Sequence, residues 1–461
     1  MKITTTSFLL AAFCLPLFLQ SGAVAADRVV EYSEGPMPPL VQPYGDVRLR
    51  FEAFDAIPLH NGAQARGGEN AYFRYRTRLG LLFGPGMPIS LNVRFLHEFR
   101  SVMRPVHSHA WRWPDELVLD ALCLTLADPS GRAAAVIGRQ DLAIPGSMHY
   151  LGEGTAKDGS RSSYMNAISG YLRTSDDATR LDLFAAYDAD HDPLAIGGMR
   201  RDLNGYAPHR TRMDEAGAGA FIRQRMPSLV PTTTNAAAVT AFYLWKHDSH
   251  WRDPDFNHLP AEDIHTTGLS VAVPLFPALT ATAEGAYQCS PSSVADRRAW
   301  LAEASLVRSI PGPLPGAYVA FRLLFLSGDD PDTPENEAWN PLWARYPWYS
   351  ELLLYGYDAD PYPWQNLLAP ALDLRLPGFA RRHVIRAMLA YLAAPEKDTD
   401  RNSHDRGVLA TTRYEFPVCP DLTHDALTAH AQFETLFPGD YYPSHDHDPA
   451  YFLRLELAWQ F

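Results

Sequence analysis

Lysine is almost missing from this chain. Of 461 residues 40 are Lys or Arg, and only Lys2, Lys157, Lys246 and Lys397 are lysine, which leaves 36 arginines. Acids outnumber cations 53 to 40, for a formal charge of −13, so the chain lacks the basic balance that nucleic-acid binding requires. Cysteine is equally sparse. Cys14, Cys123, Cys289 and Cys419 lie far apart, with no C-x-x-C pair and no disulfide framework. Beyond residue 27 no apolar run reaches the ~18 residues that a transmembrane helix needs, and no segment of useful length has a helical period. A helical membrane protein is thereby excluded. Aromatic residues make up 12% of the chain and apolar residues run throughout it, which excludes disorder.

What is present starts with an export signal. Lys2 gives a positive start, Phe8 to Leu19 is apolar, and Ala23-Val24-Ala25 followed by Ala26-Asp27 is a small-residue cleavage pattern. Cys14 follows Phe13 rather than a small residue, which does not suit lipid attachment. The expected organisation is a signal peptide over 1–26, a Pro-containing leader over 27–44 and one β domain over 45–461.

That domain is written in a two-residue rhythm. In Tyr451 to Phe461 the odd positions read Tyr, Leu, Leu, Leu, Trp, Phe, and the even ones include Arg454, Glu456 and Gln460. Phe73 to Phe83 alternates with Arg74, Arg76 and Arg78, and Val47 to Ala53 with Arg48, Arg50 and Glu52. Segments 89–100, 180–187, 319–325, 371–376 and 408–416 read alike, whereas Leu117 to Leu126 and Ala236 to Trp245 are apolar on both faces. A strand with lipid on one side and water on the other needs apolar residues only at alternate positions. About 19 candidate strands can be counted, and bacterial single-chain barrels have even numbers, so the expectation is one all-β transmembrane barrel of 18 antiparallel strands. Pro- and Asp-rich clusters such as Asp188 to Pro193, Ser327 to Asp332 and Ser444 to Pro449 mark its loops. The strand that ends on Phe461 resembles the one that outer-membrane barrels present to their assembly machinery.

Charges on the lipid face are costly, so the strand arginines should point inward. They are Arg48, Arg50, Arg74, Arg76, Arg78, Arg94, Arg322, Arg375, Arg386, Arg413 and Arg454, interleaved with Glu52, Glu98, Asp182, Glu415 and Glu456. A guanidinium stays ionised and grips carboxylates in a bidentate fork. Nearby acids keep that grip weak enough for release, as conduction demands. The plainer reading is that these arginines only pair with lumen acids and fill the barrel.

Other constellations carry less. His107-Ser108-His109, with Trp111 and Trp113, fits an interfacial aromatic segment better than a metal site. Asp329, Asp330, Asp332, Glu335 and Glu337 offer oxygen ligands for calcium but lack the glycine and spacing of a dedicated loop. No G-x-S-x-G elbow supports a hydrolase.

Gly138-Arg139-Gln140-Asp141-Leu142 with Gly146, Asp182 to Tyr187, Glu284 to Gln288, and Ser327 to Pro331 leading to Asn340-Pro341-Leu342 and Tyr346-Pro347-Trp348 resemble, in this order, motifs of the alginate export family of outer-membrane β-barrels. That resemblance implies an 18-stranded barrel passing anionic polyuronate, without nucleotide or redox cofactor, and it places Arg139 and Asp141 at the pore or its rim. The expected function is a monomeric, non-enzymatic bacterial outer-membrane channel, embedded in outer-membrane lipid, for an acidic polysaccharide or smaller organic anions. The alternatives are a structural or adhesive barrel and an outer-membrane lipid hydrolase.

Overall fold

In the computed structural model the described residues are 39–55, 70–104, 111–142, 144–146, 148–151, 164–189, 194, 214–228, 230, 236–249, 261–291, 295–311, 316–344, 350–352, 365–378, 382–397, 403–418, 427–442 and 448–461. The export signal, His107 to His109, Tyr346 to Trp348 and Cys419 lie outside them.

Eighteen strands follow one another: β1 (Val41–Asp55), β2 (Asn70–Phe83), β3 (Ile89–Arg104), β4 (Trp111–Ala127), β5 (Ala133–Gln140), β6 (Met165–Arg173), β7 (Thr179–Asp188), β8 (Glu215–Met226), β9 (Ala237–Asp248), β10 (Glu262–Phe276), β11 (Leu279–Ser290), β12 (Arg297–Ser309), β13 (Tyr318–Leu326), β14 (Leu367–Pro377), β15 (Val384–Ala393), β16 (Asp405–Pro417), β17 (Leu427–Pro438) and β18 (Ala450–Gln460). Each pairs antiparallel with its sequence neighbour, and β18 pairs with β1, so the sheet closes on itself. The 19 candidate runs become an even 18. β1 starts at Val41, so Val41 to Tyr44, expected in the leader, belong to the wall.

Alternation sorts the side chains as the period requires. Leu79, Phe95, Ile168, Leu269, Leu372, Leu389 and Leu455 stand exposed on the outer face, while Arg48, Arg50, Arg74, Arg76 and Arg454 are buried on the inner one. β4 carries apolar residues at both parities because its ladder slips, which moves the outward leucines from odd to even positions. Arg94 pairs with Ala121 but Phe95 with Leu119, and the extra residue, Asp120, is buried beside Ala121. Such a bulge re-aims a side chain.

One end of the barrel has tight connections, such as 84–88, 128–132, 174–178 and 277–278; the other has long ones, such as 56–69, 141–164, 189–214 and 327–366. In outer-membrane barrels these are the periplasmic and extracellular ends respectively. Two long connections turn into the lumen. Leu142, Ile144, Tyr150 and Leu151 from one, and Trp339, Leu342, Trp343 and Leu352 from the other, pack with Phe184, Phe221, Phe242, Leu244, Leu301 and Leu324 of the inner wall. This core explains why β9 is apolar on its inner face too.

Candidate solute pathway

The connection 327–366 is strapped across the loop end of the lumen, and the wall holds it point by point. On β11, Gln288 donates to the Asn340 carbonyl at 2.7 Å and accepts from its N–H at 2.9 Å. On β9 the fully buried Lys246 ammonium donates to the Leu342 carbonyl at 3.1 Å while paired with Glu215 and Asp248. The Trp343 ring lies over Gly217 of β8, where a Cβ would come within 2.5 Å of it. At the far side the buried Glu434 carboxylate of β17 accepts from the Ser350 hydroxyl and the N–H groups of Glu351 and Leu352, and Glu351 pairs with Arg454 of β18.

Below this far anchor lies the densest ionic network. Arg50 pairs with Glu456 at 2.7 Å, Arg454 with Glu52 at 2.8 Å, and Arg74 with Glu98 at 3.0 Å. Asp46 receives Arg76 at 3.1 Å and also Arg78, and Arg94 is shared between Asp120 at 2.9 Å and Asp141 at 3.0 Å. Arg48 lies within 3.8 Å of both Glu98 and Glu456. Arg50, Glu52 and Arg454 are 0% exposed. Charges so enclosed persist only when paired, because desolvation is otherwise prohibitive. This sector seals the barrel more than it lines a passage.

Toward the tight-turn end the inner face opens. Arg375, Arg386 and Arg413 stand directly opposite one another on β14, β15 and β16. Arg173, Arg180 and Arg223 do the same on β6, β7 and β8, with Arg225 one inward position further. Like charges in direct register are destabilising in an ordinary sheet. Acids are too few to match them. Glu415, 2.7 Å from Arg413 and 3.9 Å from Arg386, and Asp373, 3.2 Å from Arg322, serve the first patch. Asp182, 2.7 Å from Arg180, and Asp177, 2.9 Å from Arg225, serve the second. With Glu303, 4.0 Å from Arg322, the first patch has four guanidinium groups to three carboxylates, and the second has four to two. Their side chains meet solvent: Arg386 is 37% exposed, Arg225 41% and Arg173 23%. The Tyr171 ring is flanked by Arg173 at 4.8 Å and Arg180 at 4.6 Å, so the patch is fixed in place by cation–π contacts.

The sequence-selected residues thus fall into separate groups. Arg48, Arg50, Arg74, Arg76, Arg94, Arg454 and Glu456 belong to the enclosed network, with the more open Arg78 at its edge. Arg322, Arg375 and Arg413 lie in one open patch and Asp182 in the other. Arg139 lies one residue from the loop end of β5, on the parity of the outward Ile137. Gly138 takes φ 123°, a conformation left to glycine, with no register shift in either ladder of β5. The Arg139 guanidinium stacks 4.3 Å above Tyr164 and donates to Asn166 and to the Leu119 carbonyl, so it ties β4 to β6 within the wall. Sequence reasoning missed Arg173, Arg180 and Arg223, whose parity was legible but whose mutual register was not. Among the described residues no three His, Cys, Asp or Glu side chains converge to hold a metal ion.

No family model matches the chain, and no curated protein matches it either. Solved structures do. The barrel is similar to OccK5 (OpdH) of Pseudomonas aeruginosa (TM-score 0.55, 10% identity, 93% of this chain and 99% of that one). It is also similar to OpdL of the same organism (0.54, 11%, 91% and 98%), and to its outer membrane protein OpdK (0.54, 10%, 91% and 99%), which is also solved with vanillate. The alginate export family is not what these likenesses display, and the narrower resemblance read from the sequence gives way to the broader one. At about one-tenth identity they establish the architecture: this chain is a closed 18-stranded barrel of the outer-membrane type.

Proposed function

We propose that the protein is an outer-membrane channel for small organic anions. The observation that carries the reading is the pair of register-aligned arginine patches at the tight-turn end, each with more guanidinium than carboxylate and each open to water. An anion drawn to such a patch meets bidentate donors, and the interspersed Asp182, Asp373 and Glu415 compete for the same guanidinium groups, so it is released again. The OpdK structure with vanillate, a small aromatic carboxylate, agrees with this solute class.

A long polyuronate, the other solute the sequence suggested, would have to thread past the apolar core in which Trp339, Leu342 and Trp343 meet the inner wall. That geometry favours small solutes. In the same reading, outer-membrane lipid meets the exposed leucine belt, and the strand ending in Phe461 is the segment handed to the barrel assembly machinery. Planar-bilayer recording of the purified protein in a salt gradient tests the proposal. An anion-directed reversal potential is expected, with current block by small carboxylates and none by oligouronates of graded length. Cation preference would refute the assigned polarity, and silence at every voltage would favour a structural barrel.

A further inference from the structure

One anchor of the inward connections sets a loop histidine against carboxylates of the wall. β11 and β12 set Glu284 and Glu303 directly opposite each other on the inner face, which is repulsive when both are ionised. His149 and Tyr150, consecutive in the connection 141–164, answer each carboxylate with one donor. His149 Nε2 lies 2.7 Å from Glu303 Oε2, and the Tyr150 hydroxyl donates to Glu284 Oε1 at 2.7 Å. Both side chains are buried. From β13, Arg322 faces Glu303 at 4.0 Å but stands closer to Asp373, at 3.2 Å. The dipeptide also carries the other strap: the Tyr150 carbonyl accepts the Trp343 N–H at 2.9 Å, and its ring packs against Phe242 and Trp339.

We propose that His149 and Tyr150 form a proton-sensitive latch that holds both inward connections across the lumen, so that solute passage depends on pH. The inference rests on the channel reading above and adds to it a pair of positioning residues. With the imidazole protonated, two cations, His149 and the shared Arg322, oppose Glu284 and Glu303. When the proton leaves, the ring keeps one hydrogen bond and loses its attraction to the paired carboxylates.

Burial presses the ring's proton affinity down, but the touching Glu303 carboxylate and Glu284 behind it outweigh burial and the opposing Arg322, so the net shift is upward from the ordinary value. A raised value in the folded protein means that the latch is complete in mildly acidic water and is lost as pH rises through that value. A tenfold gain in the ring's proton affinity on latching changes the latched-to-released ratio roughly tenfold.

The test is single-channel recording of the full-length protein between about pH 5 and about pH 9, the range in which histidine titrates. Wild type is expected to open more often, or to larger conductance, on the alkaline side. His149→Gln, which still donates but never ionises, should show the alkaline behaviour throughout. Tyr150→Phe should loosen the loops while keeping the pH dependence. A flat wild-type profile, or a His149→Gln profile that matches wild type, overturns the latch. Absence of current in every variant would instead refute the channel reading. Hydrogen exchange at the Trp343 amide then judges the latch independently: His149→Gln should speed it over wild type at low pH and leave it unchanged at high pH, and equal rates throughout would reject the proposal.

Discussion

Replacing Arg375, Arg386 and Arg413 together by Gln keeps most of the side-chain volume and removes three guanidinium groups from one open patch. Exposure of Arg386 puts the site near the dielectric of water, where an anion passing ~7 Å from one charge gains ~0.6 kcal/mol. At 0.1 M salt the screening length of ~10 Å halves this to about 0.3 kcal/mol per charge, or about 0.9 kcal/mol for three. That corresponds to a roughly fivefold loss of anion preference. At 1 M salt, with a screening length of ~3 Å, the same sum leaves a change of only about 1.3-fold. Reversal potentials of wild type and the triple variant in planar bilayers at both salt levels make the comparison. Unchanged selectivity at low salt, or a loss that persists undiminished at high salt, would refute the assignment of the patch to the solute path.

Other perturbations read the strap and the seam. Gly217→Leu crowds both the Trp343 ring and the Trp245 carbonyl of β9, so Trp343 should be displaced and the β8–β9 ladder strained, seen as larger conductance steps, faster tryptophan quenching by aqueous iodide and lower stability in urea. Lys246→Met leaves Glu215 and Asp248 enclosed without their cation and should destabilise the barrel by ~3–5 kcal/mol, measured as a lower urea midpoint of heat-modifiable migration. Phe461→Ala removes a ring that packs on Gly45 beside the backbone bonds closing β18 onto β1, and should lower the assembled fraction recovered from outer membranes. Wild-type recovery in that last case would remove Phe461 from the assembly signal.

Much of the wall was legible because strand parity is local. Phe73, Tyr75 and Leu79 outward, with Arg74, Arg76 and Arg78 inward, follow from a period of two once one side is lipid. Arg139 is picked out by the family resemblance and not by alternation; it shares the parity of the outward Ile137, and its partners on β4 and β6 are set by the fold. His149 and Tyr150 carried no signal, since a loop residue gains meaning only when the fold delivers it to Glu284 and Glu303.

For strands without a bulge the sequence by itself decided which side of the sheet a residue occupies, and with it the class of fold, because alternation is a property of neighbours two apart. Only the tertiary structure decided which arginines are enclosed and which meet water. Arg50 reaches Glu456 across 406 positions, and Arg454 meets Glu351 because the connection 327–366 turns inward. Register between distant strands and the path of an inward loop are set by closure of the whole sheet. No local pattern records them.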